Sequence, residues 1–174
     1  VDKLFITLDG YLIKVKDRIV ITSQFSDPSF AAYDVESARF FANAVDTETK
    51  GVDLVVSYDW ALGGGNLNIN LAGNYTETKI TKFNFPEKVL ANHSQDEFFG
   101  PDQINIIESL SPKTKASLGL NYKINKFNFL VRNTYFGEVT RDGFPYGSVQ
   151  KFSPKVVTDV SVGYDITKKV NFTI

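Results

Sequence analysis

Leu67, Asn68, Ile69, Asn70, Leu71, Ala72, Gly73, Asn74 and Tyr75 decide the fold. Leu67, Ile69, Leu71, Gly73 and Tyr75 share one side of a period-2 pattern, while Asn68, Asn70, Ala72 and Asn74 share the other. Successive side chains of a strand point to opposite faces, so an alternation this strict marks a strand with one greasy and one wet side. The same reading extends outward. Val52, Leu54, Val56, Tyr58 and Trp60 oppose Asp53, Val55, Ser57 and Asp59; Leu118, Leu120, Tyr122 and Ile124 oppose Ser117, Gly119, Asn121 and Lys123. Val156, Val160, Val162, Tyr164 and Ile166 oppose Lys155, Asp159, Ser161, Gly163 and Asp165.

Turn chemistry divides this run into about seven strands, at 2–22, 39–61, 66–81, 114–124, 127–141, 155–166 and 170 onward. Their connections alternate. The segments 23–38, 82–113 and 142–153 are long, whereas Leu62 to Gly65, Asn125-Lys126 and Thr167 to Lys169 are tight. In an antiparallel up-and-down meander this sends every long loop to one end and every tight turn to the other, the asymmetry of outer-membrane barrels. Aromatic residues reinforce the pattern. Tyr58, Trp60, Tyr122 and Tyr164 all lie within four residues of a tight turn, where amphipathic rings would form a girdle at a membrane interface, and Tyr75 and Tyr135 suit the opposite rim. Soluble β-sandwiches and lipocalin-like modules, which bind ligands or carbohydrates, also alternate. Strand length favours the membrane, because 21 residues at 2–22 and 23 at 39–61 far exceed the globular norm of about 5 or 6.

Composition narrows the chemistry. The 174 residues hold no cysteine, one histidine and a formal charge of −1, which removes thiolate metal sites, cysteine nucleophiles and any basic footprint for nucleic acid. His93 beside Ser94 and Asp96 is a polar loop rather than a triad, since adjacency in sequence is not triad geometry. Gly63 to Gly65 reads as a hairpin turn, lacking the helix and lysine of a phosphate loop. No enzyme, cofactor or metal site is expected.

Four ordered blocks then resemble the barrel of TonB-dependent outer-membrane receptors. Asp9, Tyr11, Ile13, Asp17, Arg18 and Ile19 resemble one family strand; Asn43, Thr47, Gly51, Val52 and Asp53 resemble another. Pro112 and Lys113, followed by Arg132, Asn133, Tyr135, Gly137, Glu138 and Val139, resemble a third block, and Val156, Thr158, Asp159, Val160, Ser161 and Tyr164 a fourth. Gly10 departs from the larger residue usual at its place, which leaves the facing of Tyr11 open. The resemblance implies that residues 1–174 are a fragment of an all-β transmembrane barrel of about 22 strands, without its plug and terminal strands. It also implies active uptake across the bacterial outer membrane, of a ferric siderophore, a similar iron complex or another large nutrient. The implied partners are outer-membrane lipid, a small-molecule or metal-chelate ligand, and TonB, reached through the absent plug.

Under this reading Asn68, Asn70, Asn74, Asn121 and Arg132 line a hydrated lumen, with Asn133 a polar intruder on the lipid side. The long loops carry Phe30, Tyr33, Phe98, Phe99, Arg141, Phe144 and Tyr146. Of these, Phe98, Phe99, Arg141, Phe144 and Tyr146 are the candidates for ligand contact, because aromatics and cations stack on and charge-pair with bound molecules.

Overall fold

The computed structural model describes residues 3–85, 94–141 and 148–174. Its main element is one seven-stranded antiparallel sheet of neighbours in chain order: β1 (Lys3–Ile21), β2 (Phe41–Leu62), β3 (Gly65–Phe83), β4 (Thr114–Ile124), β5 (Phe127–Phe136), β8 (Lys155–Thr167) and β9 (Val170–Thr173). A separate two-stranded ribbon, β6 (Val139–Arg141) with β7 (Gln150–Phe152), rises from the β5–β8 connection. Among the described residues β1 and β9 are the sheet's edges, so the sheet is open.

The tight turns follow local chemistry. Gly63 and Gly64 take φ of 58° and 81°, the left-handed pair that matches strand twist in a two-residue hairpin. Asn125 takes φ 52°, which asparagine tolerates better than most residues. The Thr167 hydroxyl accepts from the amides of Lys169 and Val170 at 3.2 and 3.1 Å, closing the last turn with a side chain.

Two expectations need correction. The strand expected over 127–141 ends at Phe136, and residues 139–141 belong to the small ribbon. The cause is local: the Gly137 amide donates to the Thr114 carbonyl at 2.8 Å, ending the β4–β5 ladder, and the chain then leaves the sheet. The segment 82–113, expected as loop, contains a helical turn at Gln95–Phe98 and the helix α1 (Pro101–Glu108). Pro101 occupies the first turn, where its missing N–H costs nothing, and Asp102 complements the helix's positive end. A 3₁₀ helix, Pro28–Tyr33, likewise occupies the β1–β2 connection, with the Asp27 side chain accepting from the Ser29 amide at 2.8 Å.

Register separates the sheet's two faces. On one face Trp60, Leu67, Tyr122, Phe129 and Val162 align across β2, β3, β4, β5 and β8. Above them lie Tyr58, Ile69, Leu120, Val131 and Val160, and then Val56, Leu71 and Leu118, continuing into Asn133 and Thr158. Leu54, Gly73, Ala116, Tyr135 and Val156 form the fourth row, and Val52, Tyr75 and Thr114 the fifth. Among the described residues nothing covers this face: Val160 and Leu8 are 66% and 70% exposed, and Leu71, Leu118 and Leu120 are exposed as well. Asn133 is not orphaned there, because the Thr158 hydroxyl donates to its Oδ1 at 2.6 Å.

The buried core lies elsewhere, at the long-loop end. Ala44, Val45 and Phe99 are buried, packed by Val20, Ala42, Ile80, Phe83, Phe85, Ile104 and Ile107. Below it the strands change course together. β1 has a bulge between Val15 and Arg18, with Asp17 at φ 51°, and the β2–β3 register slips between Asp46 and Thr47.

Candidate functional site

Two surfaces gather the candidate residues: the sheet's polar face and the body formed by the long loops.

On the polar face, side chains form cross-strand ladders. Asp59, Asn68 and Asn121 share one row; Ser57, Asn70, Gly119, Arg132 and Asp159 share the next; Asp9, Asp53, Asn74 and Lys115 share a third. The amide Nδ2 of Asn68 donates to Asp59 at 2.7 Å and that of Asn74 to Asp53 at 2.5 Å, while Asn70 donates to Asn68 along the strand. Asn121 Oδ1 is a buried acceptor without a hydrogen-bond partner among the described residues. The structure therefore brings Asn68, Asn70, Asn74, Asn121 and Arg132 onto one face, as their alternation requires. It also settles Tyr11. The ring crosses Gly51 on this same face, and its hydroxyl shares a 2.6 Å hydrogen bond with Thr76. A Cβ at position 51 would stand 2.4 Å from the Tyr11 oxygen, so glycine is what lets the ring lie down.

The loop body is held by phenylalanines. Phe25 meets Phe30, Phe40 and Phe98 at centroid distances of 5.5, 5.5 and 4.5 Å, and Phe99 meets Phe83 and Phe85 at 5.9 and 6.4 Å. Polar ties join the two long loops. The Ser23 amide donates to the Phe98 carbonyl at 2.7 Å, and the Ser23 hydroxyl to Gln103 Oε1 at 2.6 Å. Helix α1 fills the gap above β4 and β5. Glu108 accepts from the Ile80 amide at 2.7 Å, satisfying the edge that β3 exposes once β4 has ended, and Asn105 donates to the Thr140 carbonyl at 3.0 Å.

At the joint between this body and the sheet, Asp46 Oδ1 accepts from the Asp17 amide at 2.9 Å and from Asn84 Nδ2 at 2.6 Å. The Asp17 amide above all, with Asn84, Lys82 and Lys16 adding to it, holds the Asp46 carboxyl below its ordinary range against the opposing pull of desolvation.

The loop candidates separate by burial. Phe98 and Phe99 are each 1% exposed, so in this arrangement they shape the loops from within and present no surface to a ligand. Arg141 ends β6 opposite Gln150 and is exposed, and Tyr33 is 78% exposed. Phe144, Tyr146 and His93 lie outside the described residues. The girdle candidates Tyr58, Trp60, Tyr122 and Tyr164 share the apolar face. Trp60 and Tyr122 fall in one row, Tyr58 in the row above, and Tyr164 in the row below, opposite Phe127. The Tyr122 hydroxyl donates to the Leu62 carbonyl at 2.9 Å, tying the ring to the glycine turn. Gln103, Asn105 and Glu108, which organise the loop body, carry no motif that marks them in the sequence.

A family model described as TonB dependent receptor-like, beta-barrel, matches residues 1–174. No curated protein matches the chain.

Proposed function

The chain belongs to the TonB-dependent receptor-like β-barrel family, and from that premise we propose that it is a stretch of barrel wall from an outer-membrane importer of a ferric siderophore or comparable large nutrient. The family's work is transport across the outer membrane of Gram-negative bacteria, not catalysis. One observation carries the reading: a face that is apolar across β2 and β3 over five registers, bears aromatics at both ends, and has nothing packed on it among the described residues. From Trp60 to Val52 is eight steps along the strand; at about 3.4 Å each and a tilt of about 40°, they climb roughly 20 Å, close to the height of a barrel's lipid-facing band. The opposite face, with its asparagine ladders, suits a hydrated lumen that meets a plug.

In the whole protein, further strands pair with the edges of β1 and β9, and a plug supplies the contact with TonB. Tyr58, Trp60, Tyr122 and Tyr164 sit at the inner rim. The long loops form the outer mouth, with Arg141, Phe144 and Tyr146 as its ligand-contact candidates and Phe98 and Phe99 as its internal support. A soluble sandwich would need a second layer over the apolar rows.

Orientation is tested in the full-length protein in outer membranes, with cysteines placed at neighbouring residues. Leu71→Cys is expected to resist water-soluble maleimide and react with a lipid-phase reagent, while Asn70→Cys reacts with the soluble reagent. The reverse pattern would sink the reading. Cargo is tested by deletion under iron limitation: loss of labelled ferric-siderophore uptake supports the iron assignment, and intact uptake removes it.

A further inference from the structure

We propose that the polar face of β4 and β5 holds a carboxylate-binding site, formed by Arg132, Lys115 and the hydroxyls of Ser117 and Thr134. The proposal rests on the barrel orientation given above, which makes this face the lumen wall.

Three successive rows build it. Gly119 pairs with Arg132, Ser117 with Thr134, and Lys115 with Phe136. The hydroxyl pair thus has a cation in the row on either side, one from each strand. A hollow of about 540 Å³ opens over these rows, and no carboxylate lines it. Gly119 makes the room: an ideal Cβ there would stand 4.0 Å from Arg132 Nε, so the arginine stem passes beside the space that a side chain would fill. Phe136 supports Lys115, whose Nζ stands 5.0 Å from the ring centroid. A cation–π contact orients the ammonium and leaves its charge in place.

On β2 and β3 the same face pairs its carboxylates, Asp59 with the Asn68 amide and Asp53 with that of Asn74. The β4–β5 block is different. Among the described residues the Arg132 guanidinium makes neither an ion pair nor a hydrogen bond, even with its β8 register partner Asp159, and the Ser117 and Thr134 hydroxyls are likewise unpaired. Lys115 has the Phe136 ring alone; the nearest acid of its row, Asp53, lies two strands away and is held by Asn74. Two cations and two hydroxyl donors therefore surround one hollow that holds no negative charge. A carboxylate laid over the hydroxyl pair takes a hydrogen bond into each oxygen and has a cation on each side. The arginine fork matches the spacing of its two oxygens.

The test uses the full-length protein in detergent micelles. A zero-length carbodiimide joins an amine to a carboxylate only when the two touch, so peptide mass spectrometry shows which acid, if any, Lys115 meets. In parallel, acylation of Lys115 by an amine-reactive ester is measured against the exposed Lys168, with and without citrate. Linkage to an acidic residue outside residues 1–174 assigns the carboxylate to the protein's own plug. Protection by citrate without linkage assigns it to a soluble molecule, and either result supports the site. Arg132→Gln is expected to lower the linkage or the protection roughly tenfold, the loss expected when a hydrogen bond to a charged group is removed. Arg132→Lys should keep most of it, and Gly119→Glu, with its own carboxylate beside Arg132, should abolish it. All three variants should keep the heat-modifiable gel mobility of the folded barrel. Neither linkage nor protection overturns the proposal, as does linkage to Asp53 or Asp159, an unchanged result in Arg132→Gln or Gly119→Glu, or equal protection by inorganic phosphate. Cysteine labelling separates the two ideas. Soluble labelling of Asn70→Cys with no effect at Lys115 removes the carboxylate site alone, and lipid-phase labelling of Asn70→Cys removes the orientation beneath it.

Discussion

Below the bulge at Asp17 and above it, the same three strands solve opposite problems. Below, β1–β3 keep leucine, isoleucine and valine on an uncovered face, and order comes from backbone ladders and cross-strand rows. Above, Val20, Ala42, Val45, Ile80 and Phe83 turn into a conventional core capped by Phe99 and helix α1. The difference teaches that apolar character does not by itself say what a strand faces. Under the proposed orientation the solvent around each half decides it, lipid for one and water for the other.

The largest expected effect falls in the upper half. Phe99→Ala should cost about 3–5 kcal/mol locally, as truncation of a buried ring does. Hydrogen exchange should show protection lost in the two long loops while the lower strands keep theirs. If the lower strands unfolded with the loops, the division into two regions would be broken. Next, Leu118→Arg should cost about 2–4 kcal/mol for refolding into vesicles, since residue 118 lies in the middle row of the band. Its neighbour Ser117→Arg, on the polar face, should be close to neutral, and equal costs would end the assignment of faces.

A smaller effect is expected at Gly51. Gly51→Ala pushes a methyl into the Tyr11 ring and towards the Tyr75 carbonyl, 2.5 Å from the ideal Cβ. Overpacking of this kind costs about 1–3 kcal/mol. Adding Tyr11→Ala should recover only part, because the carbonyl remains, and complete recovery would show that the ring alone requires glycine. The smallest effect concerns pH. The Asp46 carboxyl is depressed in the folded state, so its contribution to the joint is present above the unfolded-state value and is lost as pH falls through the folded one. Exchange protection of the Asp17 amide should hold through the ordinary carboxylate range and weaken only as pH falls below it, and in Asp46→Asn it should be flat over the same range.

Legibility follows the same division. The lower half was readable because period-2 alternation at 67–75 and 118–124 maps directly onto faces, and Gly63-Gly64 and Asn125-Lys126 mark their turns by residue type. The upper half was not. Helix α1 has only eight residues, three of them Ile, a weaker helix former than Ala or Leu, and its Ile104 and Ile107 spacing is too short a stripe to stand out from strand-rich surroundings. Phe98 and Phe99 read as ligand contacts because a loop aromatic that packs and one that binds look alike in sequence. Only the approach of Phe25, Phe83 and Phe85, from distant parts of the chain, tells them apart. Asn133 looked misplaced for the same reason, its partner Thr158 being 25 residues away.

The Asp17–Asp46–Asn84 joint has a consequence for engineering. β1 and β2 cross it at Asp17 and Asp46 and β3 ends beside it at Phe83, while helix α1 still ties the body above to β3 at Ile80 and to β6 at Thr140. A chimera cut there on β1, β2 and β3, and again before β4 at Thr114, would move the two interlocked loops together onto another receptor's sheet. A single-loop graft would carry half of an interlocked pair and leave the other half unsupported.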